Sequence, residues 1–404
     1  MNYEYLEYMN ILQAALGFTV PTEHINWESV EHIANKQATL PLIYHGLWKN
    51  DLLHILPAQL KETWYNITCC NAMKEASKCN DLARVLDAAL QRTIRMVCFK
   101  GNVIAQTYPE WKTRLSSDAD IFVFEQDKER AKELLLELGY CYQEEHSKEL
   151  VPVYVHPFRN HMIELHFSLW EDYEGSQIDK LDRMELTRMD SLMPITIGGI
   201  QAWTLSPTNH LIFQMFHIIK HFIVQGVGMK YMLDISFFVN QYQKDIDFPY
   251  FWNCMESLHY QDFCICYLSL CEKYLGMDAT ILTGKSLNNL EKMQERLLSD
   301  FLDYGNKESL DYNVITLMSP YLEGRDSASG NAFTRKLQLI FPKADVLQDD
   351  FAYAKRHHIL LPLAWIHKWC RFIVNRITGK SKSAASKLTQ ADARIAMMQD
   401  MNLL

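Results

Sequence analysis

Two short stretches, residues 118–124 and 161–169, alternate side-chain character with a period of two, and they restrict the fold more than any other feature of the chain. In the first, Ala119, Ile121 and Val123 make a small apolar face opposite Asp118 and Asp120. In the second, Ile163, Leu165, Phe167 and Leu169 oppose Glu164 and His166. Successive strand side chains point to opposite faces, so each stretch reads as a half-buried strand with its carboxylates on the open side. At roughly 3.3 Å per residue, Asp118 and Asp120 stand about 7 Å apart on one strand. Hard oxygen donors at that spacing, joined by Glu164 from a neighbouring strand, suit a divalent cation of the kind that phosphoryl and nucleotidyl transfer requires. A lone Asp-x-Asp is common in surface loops; the second strand of matching parity gives this one its weight.

The residues just upstream fit the same chemistry. Met96–Phe99 reads as a short apolar strand, and Gly101 to Tyr108 as a helix stopped by Pro109. At that junction the free backbone N–H groups of a helix start can meet a phosphate; Gly101 permits close approach and Asn102 can cap. Lys100 and Gly101 are therefore candidates for nucleotide binding. Arg114, four residues before Asp118, is either a bidentate phosphate clamp or a structural ion-pair partner.

The flanks read as helical. Before residue 91, amphipathic patterns cover the start of the chain, Trp27 to Lys49 with a break near Thr39 and Pro41, and Ala58 to Leu90. A helix is expected over 128–138, ending at Gly139, and strands over 140–144 and 150–156. Helices follow over 208–224, 230–241 and 249–274, then an irregular connection over 304–331. This gives four regions: helical 1–90, an α/β core at 91–200, helical 201–345, and a basic amphipathic segment at 346–404.

With 404 residues, 48% of them hydrophobic and 22% charged, the chain has material for two or three domains. Its net charge of −9 argues against a general nucleic-acid binder, which usually carries a positive surplus. The ten cysteines show no C-x-x-C spacing and sit mostly in apolar runs, as reduced, buried thiols do. An acidic start without an apolar signal core, and the absence of any 18-residue apolar run, lead to the expectation of a cytoplasmic protein.

His210, Gln214, His217 and His221 form one stripe at offsets of 0, 4, 7 and 11 on the 208–224 helix. The stripe lines either a polar cleft facing nucleotide or acceptor, or a partly exposed polar face; His217 and His221 are binding candidates, and zinc is an alternative at the i, i+4 pair. Lys230 is a candidate for the triphosphate, its plainer role being a local salt bridge to Asp234. Between Asp350 and Asp392 there is no acidic residue, and eight lysines and arginines accumulate among Leu360, Leu361, Trp365, Ile366 and Trp369. Residues 358–387 are therefore a candidate for peripheral contact with an anionic membrane, with packing on the protein's own body as the alternative.

The run Phe99-Lys100-Gly101, then Arg114, Asp118-Ala119-Asp120-Ile121 and Ile163-Glu164-Leu165-His166, resembles the polymerase-β-like nucleotidyltransferase superfamily, and within it the bacterial family of uncharacterised nucleotidyltransferases. The resemblance implies an α+β fold, a small mixed sheet with helices flanked by N-terminal and C-terminal helical regions. It also implies Mg²⁺, or Mn²⁺, held by Asp118, Asp120 and Glu164 as the catalytic residues, and an NTP such as ATP as donor. His166 joins the nucleotide-binding candidates. Better-characterised members carry Gly-Ser or Gly-Gly where this chain has Lys100-Gly101-Asn102, which leaves Lys100 as the candidate for gripping the triphosphate. Three functions stay open: transfer of an NMP to an acceptor (small molecule, sugar-like or protein), a non-catalytic nucleotide- or partner-binding module as in toxin and antitoxin systems, and a hydrolase with a histidine metal site on the 210–221 stripe.

Overall fold

A computed structural model describes residues 3–304, apart from 20, 22–23, 160, 171–180 and 225, together with 351, 353–354, 357–377 and 384–403. The irregular connection expected over 304–331 lies outside the described residues, save residue 304. The chain divides into two compact units, one of Met1–His221 with Val227–Lys307, the other of Phe222–Gly226 with Glu308–Leu404.

In the first unit, α1 (Tyr3–Ala15), α2 (Trp27–Lys36), α3 (Leu40–Lys49) and α4 (Ala58–Gln91) precede the first strand. Local chemistry sets their limits. The Asn26 side chain accepts from the Ser29 amide 3.2 Å away to cap α2, and Pro41 occupies the first turn of α3. With 34 residues, α4 runs for about 50 Å at 1.5 Å per residue.

Then come β1 (Met96–Phe99), α5 (Gly101–Ile104), β2 (Ala119–Val123), α6 (Lys128–Glu137), β3 (Cys141–Tyr142), β4 (Val153–His156), β5 (His161–His166), β6 (Met193–Ile197) and β7 (Ile200–Thr204). The helix expected through Tyr108 is a single α-turn that tightens into a 3₁₀ turn at Ala105–Thr107. The β6–β7 hairpin was not expected, because β6 is largely exposed and shows no clean alternation. It matters nonetheless, since β7 pairs in parallel with β1 and carries the sheet to Thr204.

Among the described residues the sheet has seven strands in the order β3-β4-β5-β2-β1-β7-β6. It is mixed: β1 runs antiparallel to β2, and β2 parallel to β5. Register places Asp120 opposite Phe99 on one side and opposite Glu164 on the other. One face carries the core, in which Ala119, Ile121, Val123, Ile163 and Leu165 join Leu82, Val85 and Leu86 of α4 and Leu134 and Leu135 of α6.

Helices α7 (Pro207–Val224), α8 (Met229–Tyr242), α9 (Phe248–Ser257), α10 (Gln261–Leu275) and α11 (Leu290–Tyr304) follow. The single helix expected over 249–274 is two, broken at Leu258–Tyr260, where His259 adopts φ +62° without a glycine or proline to announce it. Because α7 lies over the second face of the sheet, that face is not open: Val97 and Phe99 are fully buried and Phe122 nearly so. The Phe99 ring meets Phe213 of α7 edge to face at 5.1 Å. The strand expected to be half-buried is therefore covered on both sides.

In the second unit, α12 (Leu361–Ile377) and α13 (Ala384–Asp400) are the described helices. Phe351, Ala354 and Ala364 make a small core with Tyr353 and Leu361. Lys387, in the basic stretch, lies within α13.

Candidate active site

The site begins where β1 ends. Lys100 has φ +55° and ψ −127°, a backbone conformation that normally calls for glycine and costs about 1–3 kcal/mol elsewhere. One contact holds its backbone and another its side chain. Its amide donates to His210 Nε2 at 3.1 Å, and its ammonium donates to Asp120 Oδ1 at 2.7 Å. His210 must therefore be neutral with Nε2 unprotonated; burial first, and Arg114 second, push its imidazole down to about 3. The Lys100 ammonium also lies 5.3 Å from the centre of the Phe99 ring and 5.6 Å from that of Phe213.

Asp120 is the hub of the acidic cluster. Its Oδ1 lies 3.0 Å from His166 Nε2, which is 3.6 Å from Glu164 Oε2. One donor atom from each of Asp120, Glu164 and His166 falls within 4.8 Å of the others, so these three could hold a metal ion together. Burial alone would raise the Asp120 carboxyl, but Lys100 and His166 hold it well below the usual carboxylate range. Glu164 keeps 28% of its side chain exposed and is the edge of the cluster that meets solvent.

Asp118 sits one residue before β2 and outside that three-residue group. It remains within electrostatic reach: burial, Asp120 and Glu164 push its carboxyl up to about 6 against the pull of Lys100 and a hydrogen bond from Ser117. Three carboxyls gathered beside one imidazole suit a divalent cation of the Mg²⁺ or Mn²⁺ class, which takes oxygen ligands.

The other candidates divide. Arg114 is buried and paired, its Nε and Nη2 each donating at 2.8 Å to the two carboxylate oxygens of Asp234, which also accepts from the Tyr108 hydroxyl at 2.7 Å. That fork-to-fork contact is the structural partner reading of Arg114. It also displaces the local Lys230–Asp234 bridge: the Lys230 ammonium donates instead to the Leu115 carbonyl at 3.0 Å. Burial, then Arg114, lowers the Lys230 ammonium to about 8, opposed by Asp234, Asp118 and Glu75.

A Cβ on Gly101 would stand 3.2 Å from Arg114 Nη1, so the glycine admits the guanidinium. The loop leading to Asp118 is pinned by Glu75, which accepts the Ser116 hydroxyl at 2.7 Å. Gly101, Arg114, Ser116, Trp111 and Glu75 line a cavity of about 300 Å³ beside this loop.

The histidine stripe also splits. His210 serves the Lys100 amide, whereas His217 and His221 approach each other at 2.9 Å between their Nε2 atoms, next to Tyr231. His217 is held well below its ordinary value, by burial first and then by Lys100. The roles of Asp234 as the partner of Arg114, and of Phe213 and Glu75 as supporting residues, are what sequence reasoning missed. These residues lie 120, 113 and 41 residues from the groups they serve (Arg114, Lys100 and Ser116), beyond any local periodicity.

The model of a family described as uncharacterised nucleotidyltransferase matches residues 23–276, most of the chain and every residue of this site. The chain belongs to that family. No curated protein matches it. A solved structure similar to this nucleotidyltransferase family member is an antigenic nucleotidyltransferase-like protein from Paracoccidioides brasiliensis. It is 13% identical over 41% of this chain and 76% of its own, with a TM-score of 0.31, a likeness too slight to carry an argument.

Proposed function

We propose that this protein transfers an NMP from an NTP to an acceptor hydroxyl on a small molecule, a sugar-like compound or a protein, using Mg²⁺ or Mn²⁺. The observation that carries the reading is the in-register placement of Asp120 and Glu164 on parallel strands, with His166 and Asp118 beside them. Asp118, Asp120 and Glu164 are the residues that would hold the cation, and bound there it would supply positive charge to the phosphate oxygens. His166 orients Asp120 through their hydrogen bond. Glu164, at the exposed edge, receives the acceptor's proton at its carboxylate. The acceptor oxygen forms a bond to the α-phosphorus, the bond from that phosphorus to the β-bridging oxygen breaks, and pyrophosphate leaves. Lys100 and Lys230 would be the cations that meet the phosphates.

A non-catalytic binding module has no need of all three carboxylates, so the presence of Asp118, Asp120 and Glu164 together favours transfer. For the second unit, exposed Ile359, Leu363, Ile366 and Trp369, in a stretch of sequence that is basic and has no acidic residue between Asp350 and Asp392, support peripheral contact with an anionic membrane, which vesicle co-sedimentation would test. No described helix is long and apolar enough to cross one.

The test of transfer is incubation with each α-labelled NTP and Mg²⁺ or Mn²⁺, following label transfer and pyrophosphate release. Activity in the wild type, lowered by at least about 10²-fold in a folded Asp120→Asn variant, is expected. Undiminished activity in Asp120→Asn removes this mechanism.

A further inference from the structure

We propose that the ammonium of Lys100 is a resident counter-ion occupying the cation position of the acidic cluster, which it yields only when a metal–nucleotide complex arrives with phosphates to receive it. This rests on the reading of Asp118, Asp120 and Glu164 as metal-holding residues. The protein then selects the metal–NTP complex over the free metal ion, and Lys100 is the residue that enforces the selection.

Three observations converge on this assignment. Lys100 Nζ lies 2.7 Å from Asp120 Oδ1, the same oxygen that faces His166 Nε2, and the Asp120 carboxylate belongs to the ligand group with Glu164. A divalent cation binds carboxylate oxygen at about 2.0–2.6 Å, so an ammonium at hydrogen-bond distance and a dication compete for one oxygen and repel one another. Either one leaves or both bind weakly.

The backbone of Lys100 is fixed while its side chain is the part able to move. Its φ of +55° is maintained by the hydrogen bond that its amide donates to buried His210, and Phe99 and Phe213 flank the ammonium. Nature could have used glycine at this strained position, and a glycine would have been cheaper. Keeping a lysine there puts one ammonium where its flexible stem can turn from Asp120 to a neighbouring anion without moving the chain.

The charge balance of the cluster points the same way. Asp118, Asp120 and Glu164 bring three carboxyls to one place, and Asp120 is 4% exposed. A carboxylate so deeply buried needs a cation beside it. In the absence of metal, Lys100 meets that need. When an NTP arrives, its phosphates offer Lys100 a new partner, and the oxygen it leaves becomes available. Metal and nucleotide binding are thus coupled through one side chain, and the coupling is reciprocal.

The experiment is a Mn²⁺ titration followed by electron paramagnetic resonance, on the full chain, with and without a non-hydrolysable NTP analogue. Wild type, Lys100→Met, Lys100→Gly and Asp120→Asn are compared. Lys100→Gly deletes the ammonium while relieving the backbone, so a folded variant without the charge is at hand even where Lys100→Met fails to fold. In the wild type the analogue is expected to tighten Mn²⁺ binding by roughly tenfold or more, the usual range of a coupling between sites. In both Lys100 variants Mn²⁺ alone is expected to bind about tenfold tighter than in the wild type, with most of the coupling gone. Unchanged or weaker Mn²⁺ affinity in the Lys100 variants, with coupling intact, overturns the proposal while leaving the metal site standing. Equal Mn²⁺ binding by Asp120→Asn and wild type removes the metal site itself, and this inference with it.

Discussion

Two groups of buried charges lie on either side of Gly101, and they are built on opposite principles. On one side, Arg114 is satisfied by a bidentate contact to Asp234, which Tyr108 completes. Charges and hydrogen bonds there close on themselves, and the group ties the loop before β2 to α8. On the other side, Asp118, Asp120 and Glu164 bring three carboxyls together, with Lys100 as the ammonium on Asp120. Two partnered charges make a fastener, whereas carboxyls in excess of their cations make a place for something else to bind. Arg114 fits the fastener and Asp120 the site, although four residues separate Arg114 from Asp118.

The comparison breaks most readily at the fastener. Replacing Arg114 with Ala leaves Asp234 buried without its cation and is expected to cost about 3–5 kcal/mol in urea unfolding. Arg114→Met combined with Asp234→Leu should recover much of that loss. A destabilisation below about 1 kcal/mol in Arg114→Ala would mean that the pair is as dispensable as a surface bridge. At the acidic cluster the same kind of change should strike activity instead. Asp120→Asn is expected to lower label transfer by at least about 10²-fold while leaving the folded state in place.

A third contrast is in pH dependence. Asp118 has its carboxyl raised from 3.8 to about 6, so folding favours its neutral form. That contribution to stability is fully present below the unfolded value and is lost as pH rises through about 6. The metal-free protein should therefore lose about 1–2 kcal/mol across this window, after allowance for the partial exposure of Asp118. Thermal melts of Asp118→Asn should be flatter over the same range, and an unaltered slope would place the titration elsewhere. The smallest effect is expected at Gly101, where the two groups touch. Gly101→Ala should cost about 1 kcal/mol as Arg114 Nη1, 3.2 Å from the added carbon, gives way.

What the sequence revealed follows from the range of the interactions. Strand parity is a two-residue property, so Asp120 opposite Ile121, and Glu164 opposite Leu165, could be read from a dozen letters; the structure pairs Asp120 with Glu164 across β2 and β5. The covering of that face by α7 could not be read, because Phe213 meets Phe99 from 114 positions away. The same distance divided the histidine stripe. His210 is the acceptor for the Lys100 amide, while His217 and His221 face each other, and one helical periodicity contains both arrangements. Lys100 itself stood out as a departure from glycine, but its backbone strain and its contact with Asp120 are properties of three dimensions.

The most direct test of the account is anomalous diffraction from crystals grown with Mn²⁺ and a non-hydrolysable NTP analogue. The account predicts a Mn²⁺ peak bounded by Asp120 and Glu164, with Lys100 turned from Asp120 toward the phosphates. A peak between His217 and His221, or none near the carboxylates with the analogue bound, would contradict it.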